Sequence, residues 1–231
     1  MTGSIKTLVG IRPITEGLTL PEDFPNIAYE SIRNRIAPKI TNPSDQLDQF
    51  LGAWNAVLYR FMSCAEHDAN FSECIKKAGN APPRVERYIQ EKELFNFFMN
   101  GLATIESLYY ALCVLGSLLN AKNFPLDDAR NINPKKTASQ FQMAFPSESL
   151  TAILNRTAAS SDLQEWKDIR NALAHQTAPG RVVDIGPRGE ALWKLNRMPV
   201  NSDTTSLRRE WLANAVSEIM CEAETFSSNR F

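Results

Sequence analysis

Between residues 47 and 65 the apolar positions recur every three or four residues: Leu47, Phe50, Leu51, Trp54, Val57, Leu58, Phe61, Met62 and Ala65. That spacing places them on one stripe of a helix. NPSD at 42–45 supplies a start. Asn42 can cap, Pro43 suits the first turn, and Asp45 sits at the positive end of the helix dipole. The helix is expected to run to about Lys77, short of Gly79. A second long helix opens in APPRVERYIQEKELF at 81–95, with Pro82 and Pro83 in its first turn. Its apolar positions, from Leu94, Phe97 and Phe98 through Leu102, Ile105, Leu108, Tyr109, Leu112 and Leu115, cover more than one stripe, which marks a central helix. The short link between the two predicts an antiparallel pair.

Residues 120–138 break the periodicity with two prolines and many polar side chains. Two shorter helices are expected near 139–144 and 147–157, and SSDLQEWKDIRNALAHQ at 160–176 reads as the third main helix. Ser160, Ser161 or Asp162 can cap it, and Glu165 stands at capping-box distance from Asp162. RVVDI, GPRG and EALWKL between 181 and 195 then read as strand, turn and strand. NSDTTS opens a last helix over about 206–227, with Leu207, Trp211, Leu212, Ala215, Ile219, Met220 and Phe226 on its apolar side. Residues 1–42, with Pro13, Pro21, Pro25 and Pro38, read as an extended arm with one short helix around 27–36. The arm either wraps the body or orders against a second subunit. The expected fold is all-α: an antiparallel helical bundle over 43–231, with an N-terminal arm over 1–42 and a small β-hairpin at about 180–196, before the last helix.

Composition narrows the function classes. With 231 residues and 43% hydrophobic side chains the chain can bury a sizeable core. A formal net charge of −1 gives no global field for nucleic acid, so any such contact needs a local patch. The four cysteines, Cys64, Cys74, Cys113 and Cys221, form no CxxC pair and read as buried, reduced thiols of a cytoplasmic protein. The N-terminus lacks the pattern of a signal peptide. GLATIESLYYALCVLGSLL at 101–119 carries Glu106, two serines and two tyrosines, so it reads as a core helix and not a membrane span. No Gly-rich phosphate loop, nucleophile elbow or HExxH is present, and no cofactor or metal site is expected.

The candidate chemistry sits in WKDIRNALAHQT, which holds one of the two histidines. With Arg170 at zero on a helical wheel, Trp166, Ile169 and Leu173 fall at about 320°, 260° and 300°, the core-facing side. Asn171 and His175 fall near 100° and 140°, one turn apart on the other side, with Arg170 at its edge. Such a face is either a solvated surface or a site. Histidine moves a proton near neutral pH, arginine stabilises a phosphorane, and asparagine orients an imidazole or a ribose hydroxyl. These are the parts needed for RNA cleavage by an internal 2′-hydroxyl. General base and general acid are two roles, and two copies across a dimer axis would supply two histidines. Glu106 is either an acid reaching the Arg170 face or a structural ion-pair partner. His67, between Glu66 and Asp68, reads as a solvated histidine. Lys135, Lys136, Arg181 and Arg188 are solvated charges or phosphate contacts.

IRNALAH, with Arg170, four residues and His175, resembles the Arg-(four to six residues)-His motif of the HEPN superfamily, and Asn171 matches the polar residue common after that arginine. The order of helices over about 44–227 is similar too. The resemblance implies a dimeric all-α bundle with the two motifs facing each other, and metal-independent endoribonuclease activity in toxin–antitoxin, phage-defence or stress systems. Arg170, Asn171 and His175 would be its site residues, RNA its substrate, and an antitoxin or regulator a partner. Some family members bind RNA, nucleotide or protein without cutting, which is the alternative. Toxins controlled by nucleotidyltransferases carry a tyrosine two residues past the histidine; this chain has Thr177 there.

Overall fold

The computed structural model describes residues 15–39, 46–127, 129–175, 181–183, 191–195 and 198–231. The helix start read at Asn42, Pro43 and Asp45, the GPRG turn, and Thr177 and Arg188 lie outside them. Among the described residues the α-helices are α1 Asn26–Ile36, α2 Gln46–Ala78, α3 Arg84–Leu119, α4 Pro134–Ala144, α5 Ser149–Ala158, α6 Ser161–His175 and α7 Asp203–Ser228. Three short strands, β1 Arg181–Val183, β2 Ala191–Leu195 and β3 Met198–Pro199, precede the last helix. The fold is all-α with a small antiparallel hairpin, as the periodicity predicts.

The α2–α3 hairpin is the frame. Gly79, at φ +64°, ends α2 by turning into the left-handed region while its N–H reaches the carbonyl of Ile75 at 2.8 Å. The two helices then run antiparallel, and contacts join Tyr110 to Gln49, Ser107 to Arg60 and Glu93 to His67 along their length. Helix α3 is long and apolar enough to cross a membrane, yet 72% of its most apolar window is buried inside the bundle. Its apolar surface is covered by α2, α4, α6 and α7.

Helix α6 is seated on α3 by one aromatic contact. Trp166 is 1% exposed and packs against Phe97 and Phe98, each with ring centroids 5.1 Å away. Its indole lies over Gly101, where a Cβ would overlap the ring. Leu163 and Ile169 extend the buried stripe. The cap of α6 is Ser160, whose Oγ accepts the N–H of Leu163 at 3.1 Å. The capping box expected from Asp162 and Glu165 is therefore not formed, and Glu165 instead pairs with Arg208 at 2.6 Å.

The segment 15–39 lies on the body of the bundle. Phe24, Tyr29, Ile32 and Ile36 join the main core. Tyr29 stacks on Trp54 at 5.3 Å and 9°, and the Trp54 indole N–H donates to the Tyr29 carbonyl at 3.1 Å. Arg35 of α1 donates to Ser227 Oγ of α7 at 2.8 Å. Asp23 pairs with Arg209, which is 8% exposed and lies 4.6 Å over the Phe61 ring. The hairpin pairs Arg181 with Trp193 and Val183 with Ala191, and it docks through Trp193, whose ring is 5.9 Å from Phe71 of α2.

Three local expectations need correction. Helix α4 starts at Pro134, five residues before the expected 139, because Asn133 Oδ1 caps Lys136 N at 3.0 Å. On α7, Leu207 is 62% exposed, and the buried stripe begins with Thr204, Thr205 and Arg209. Of the four cysteines only Cys64 and Cys113 are buried; Cys74 is half-buried and Cys221 exposed. Burial pushes the Cys113 thiol up to about 11 and raises Cys64 and Cys74 too, so these three stay protonated at neutral pH.

The α3–α6 seat has a direct test. Gly101→Ala should lower stability by about 1–3 kcal/mol in urea unfolding, because the new methyl must displace the Trp166 ring. An unchanged midpoint would show that α6 shifts at no cost.

Candidate functional site

Helices α3 and α6 run in the same direction where they touch, since Trp166 meets Gly101 and Arg170 meets Glu106. This register carries Arg170 to the surface edge of the seam. Its Nη2 stands 3.5 Å from Glu106 Oε1, with the two side chains 28% and 44% exposed. Glu106 is thus well exposed although it stands in the most apolar stretch of the chain. It does meet the arginine, as one of the two readings anticipated. At that length and exposure the pair contributes only about 0–1 kcal/mol. A phosphate offering two charged oxygens can compete for the guanidinium.

Asn171 is exposed, on the side of α6 that also carries Gln164 and Asp168, whose side chains bond each other at 2.8 Å. His175 is the last residue of α6. Its backbone lies about 7.5 Å along the helix axis beyond Arg170, and its side chain lies outside the described residues. Arg170 and Glu106 are thus brought together. Asn171 stands apart from them, one turn from the His175 backbone. Among the described residues no three His, Cys, Asp or Glu side chains converge to hold a metal ion.

Beside this pair an open groove of about 360 Å³ runs between α2 and α3. Glu106, Ser107 and Tyr110 of α3 line it, with Gly52, Ala53, Ala56 and Arg60 of α2 and with Ile132. Arg60 donates through Nη1 to Ser107 Oγ and to the Ala103 carbonyl, the latter at 3.2 Å. Sequence reading passed over Arg60. On the chain it is one more charge on the outer face of an amphipathic helix, and no spacing links it to Glu106. Lys135 is exposed and Lys136 half-buried at the start of α4.

The other histidine needs correction. His67 is not simply solvated: its Nδ1 lies 2.6 Å from Glu93 Oε2, and Glu93 is 4% exposed. Asn70 and Lys92 also reach Glu93, at 3.4 and 2.8 Å. Burial alone would raise the Glu93 carboxyl, but hydrogen bonds from Lys92 and His67 outweigh it and hold the group below its ordinary value. A buried carboxylate with three partners ties α2 to α3, and this is a structural role.

No family model matches the chain, and no curated protein or solved structure is found to be similar to it.

The Glu93 cluster predicts a pH signature. Glu93→Gln should cost about 1–3 kcal/mol at neutral pH, by removing the charge from a buried acceptor that His67, Asn70 and Lys92 reach. A carboxyl held low in the native state contributes fully above its ordinary value of 4.5, and the contribution is lost as pH falls through the native value. Urea midpoints of wild type and variant should therefore converge in acid. A gap independent of pH would refute the charged role.

Proposed function

We propose that the protein is an endoribonuclease of the HEPN type, acting in the cytoplasm as a dimer with a composite site. The observation that carries this reading is the open Arg170–Glu106 pair. An arginine locked in a closed, buried pair would have no capacity left for a phosphate. Here the guanidinium is at the surface, weakly held, on the same helix as Asn171 and His175. The spacing of IRNALAH supports the same roles.

His175 takes the proton from the ribose 2′-hydroxyl, and the 2′-oxygen attacks the adjacent phosphorus. Arg170 leaves Glu106 and stabilises the dianionic phosphorane. The P–O5′ bond breaks, and the leaving 5′-oxygen takes a proton from the His175 of a second copy. Products are a 2′,3′-cyclic phosphate and a 5′-hydroxyl. Asn171 positions the ribose or the imidazole. No step needs a metal ion. Glu106 holds the arginine in readiness and is released as the phosphate binds. A partner protein that silences the enzyme, as an antitoxin would, is part of the same proposal.

The test is cleavage of total RNA by purified protein in EDTA, with the ends mapped. Wild type should leave cyclic phosphate ends, and His175→Ala and Arg170→Ala should each be slower by about 100-fold or more. Equal rates for wild type and His175→Ala would sink the assignment. RNA retention without cleavage by wild type would move the reading to a non-catalytic RNA-binding module.

A further inference from the structure

The groove beside the Arg170–Glu106 pair carries more than its position. Its volume of about 360 Å³ falls near the lower end of the roughly 300–1,000 Å³ range of small-ligand sites. Three of its α2 residues, Gly52, Ala53 and Ala56, have no side chain larger than a methyl, so a flat group can lie close to the α2 backbone. Tyr110 lines it from α3, with its hydroxyl donating to Gln49 Oε1 at 3.3 Å. That bond helps fix the ring.

Arg60 lines it too, and the way it is held matters. Nη1 is committed to Ser107 Oγ and the Ala103 carbonyl. These bonds lock the long side chain against α3, so the ordering entropy is met before any ligand arrives. Nε and Nη2, the side-on edge of the guanidinium, make no hydrogen bond or ion pair with a described residue. That edge is the one that fits two oxygens of a phosphate. Ser107 and Glu106 are neighbours in sequence, so Arg60 and Arg170 grip α3 at adjacent residues. Arg170 offsets the Glu106 charge while the two are paired, so the phosphate at Arg60 seats first and Arg170 turns to the scissile phosphate afterwards.

We infer that this groove is a nucleotide subsite for single-stranded RNA: Arg60 clamps a backbone phosphate through Nε and Nη2, and the attached base lies on Gly52, Ala53 and Ala56 against the Tyr110 ring. The inference rests on the ribonuclease reading and deepens it, by naming a second phosphate anchor, Arg60, that lies outside the Arg170–His175 motif. A base has a π-face whatever its identity, so the subsite is tolerant of sequence. A duplex cannot present an unstacked base to it. Arg60 acts here as a binding residue and takes no part in proton transfer.

The experiment is fluorescence anisotropy with a short, fluorescein-labelled single-stranded oligoribonucleotide of mixed sequence. The full chain carrying His175→Ala serves as background, so that nothing is cut. Arg60→Ala should weaken binding about tenfold and reduce the slope of log affinity against log salt by roughly 0.7, the value for one phosphate of a single strand. Arg60→Lys should restore the salt slope but not the affinity, since a point charge replaces the fork. Gly52→Leu fills the groove from an exposed position with open space around a new side chain, about two turns from Arg60. It should weaken binding without lowering the melting midpoint, which covers the case where Arg60→Ala disturbs folding. A blunt duplex of the same sequence should bind more weakly than the strand.

Single-strand affinity unchanged in both Arg60→Ala and Gly52→Leu would overturn the subsite. So would a change in oligomeric mass on Gly52→Leu with RNA affinity intact, because the groove would then seat a second copy. The two readings fail separately. Wild type that binds through Arg60 but does not cut sinks the ribonuclease and keeps the subsite. Cutting with the same kcat/KM in Arg60→Ala keeps the ribonuclease and sinks the subsite. Absence of both binding and cutting sinks both.

Discussion

The missing side chain at Gly101 sets the geometry on which the surface chemistry depends. Two helices cross closely only where one of them is thin. Gly101 makes that gap in α3, and the Trp166 indole fills it, braced by Phe97 and Phe98. A large rigid ring in a fitted slot fixes the register of α6 as well as its distance. One turn after the ring, Arg170 then comes level with Glu106. A slip of one residue along α6 would rotate Arg170 by about 100° away from α3. The placement of the arginine is thus decided in the core, by groups that never touch solvent.

A second theme is the different treatment of charge in and out of the core. Glu93, nearly enclosed, is bound by His67, Asn70 and Lys92. Arg209, equally enclosed, lies between the Asp23 carboxylate and the Phe61 ring. These groups are committed, because a buried charge without partners costs several kcal/mol. Arg60 and Arg170 differ in standing at or near the surface, where the charge is solvated and needs no such enclosure. The contrast separates charges that hold the bundle together from charges with spare capacity for something else.

The long helices were legible because their stripes run for many turns, and a shift of either boundary by a few residues leaves the pattern intact. Helix α4 started earlier than its apolar pattern suggested, because a capping side chain and a proline outweighed weak periodicity. Asn133–Pro134 carries the same signal as Asn42–Pro43. The face of α6 was legible too: Trp166 and Ile169 are buried and Asn171 is exposed, as the wheel placed them. What the chain concealed were contacts between distant segments. His67 looked solvated because its sequence neighbours are Glu66 and Asp68, while its partner Glu93 comes from the facing helix. Arg209 occupies a core stripe only because Asp23 reaches it from far away in sequence. Arg60 likewise has meaning only through Ser107.

The hydrogen bond from Arg35 to Ser227 joins positions 192 residues apart, so α1 finds its partner surface on α7 only late in synthesis. Helices α2 and α3 can zip together as soon as both have emerged, since they are neighbours in the chain. The stretch holding Asp23 and α1 has no such local outlet on α7. During translation it must wait, with the Tyr29 side of α1 able to engage Trp54 but its Arg35 side open. On the ribosome the α2–α3 pairing can therefore form from local segments, while the α1–α7 contact closes only once the last helix has been made.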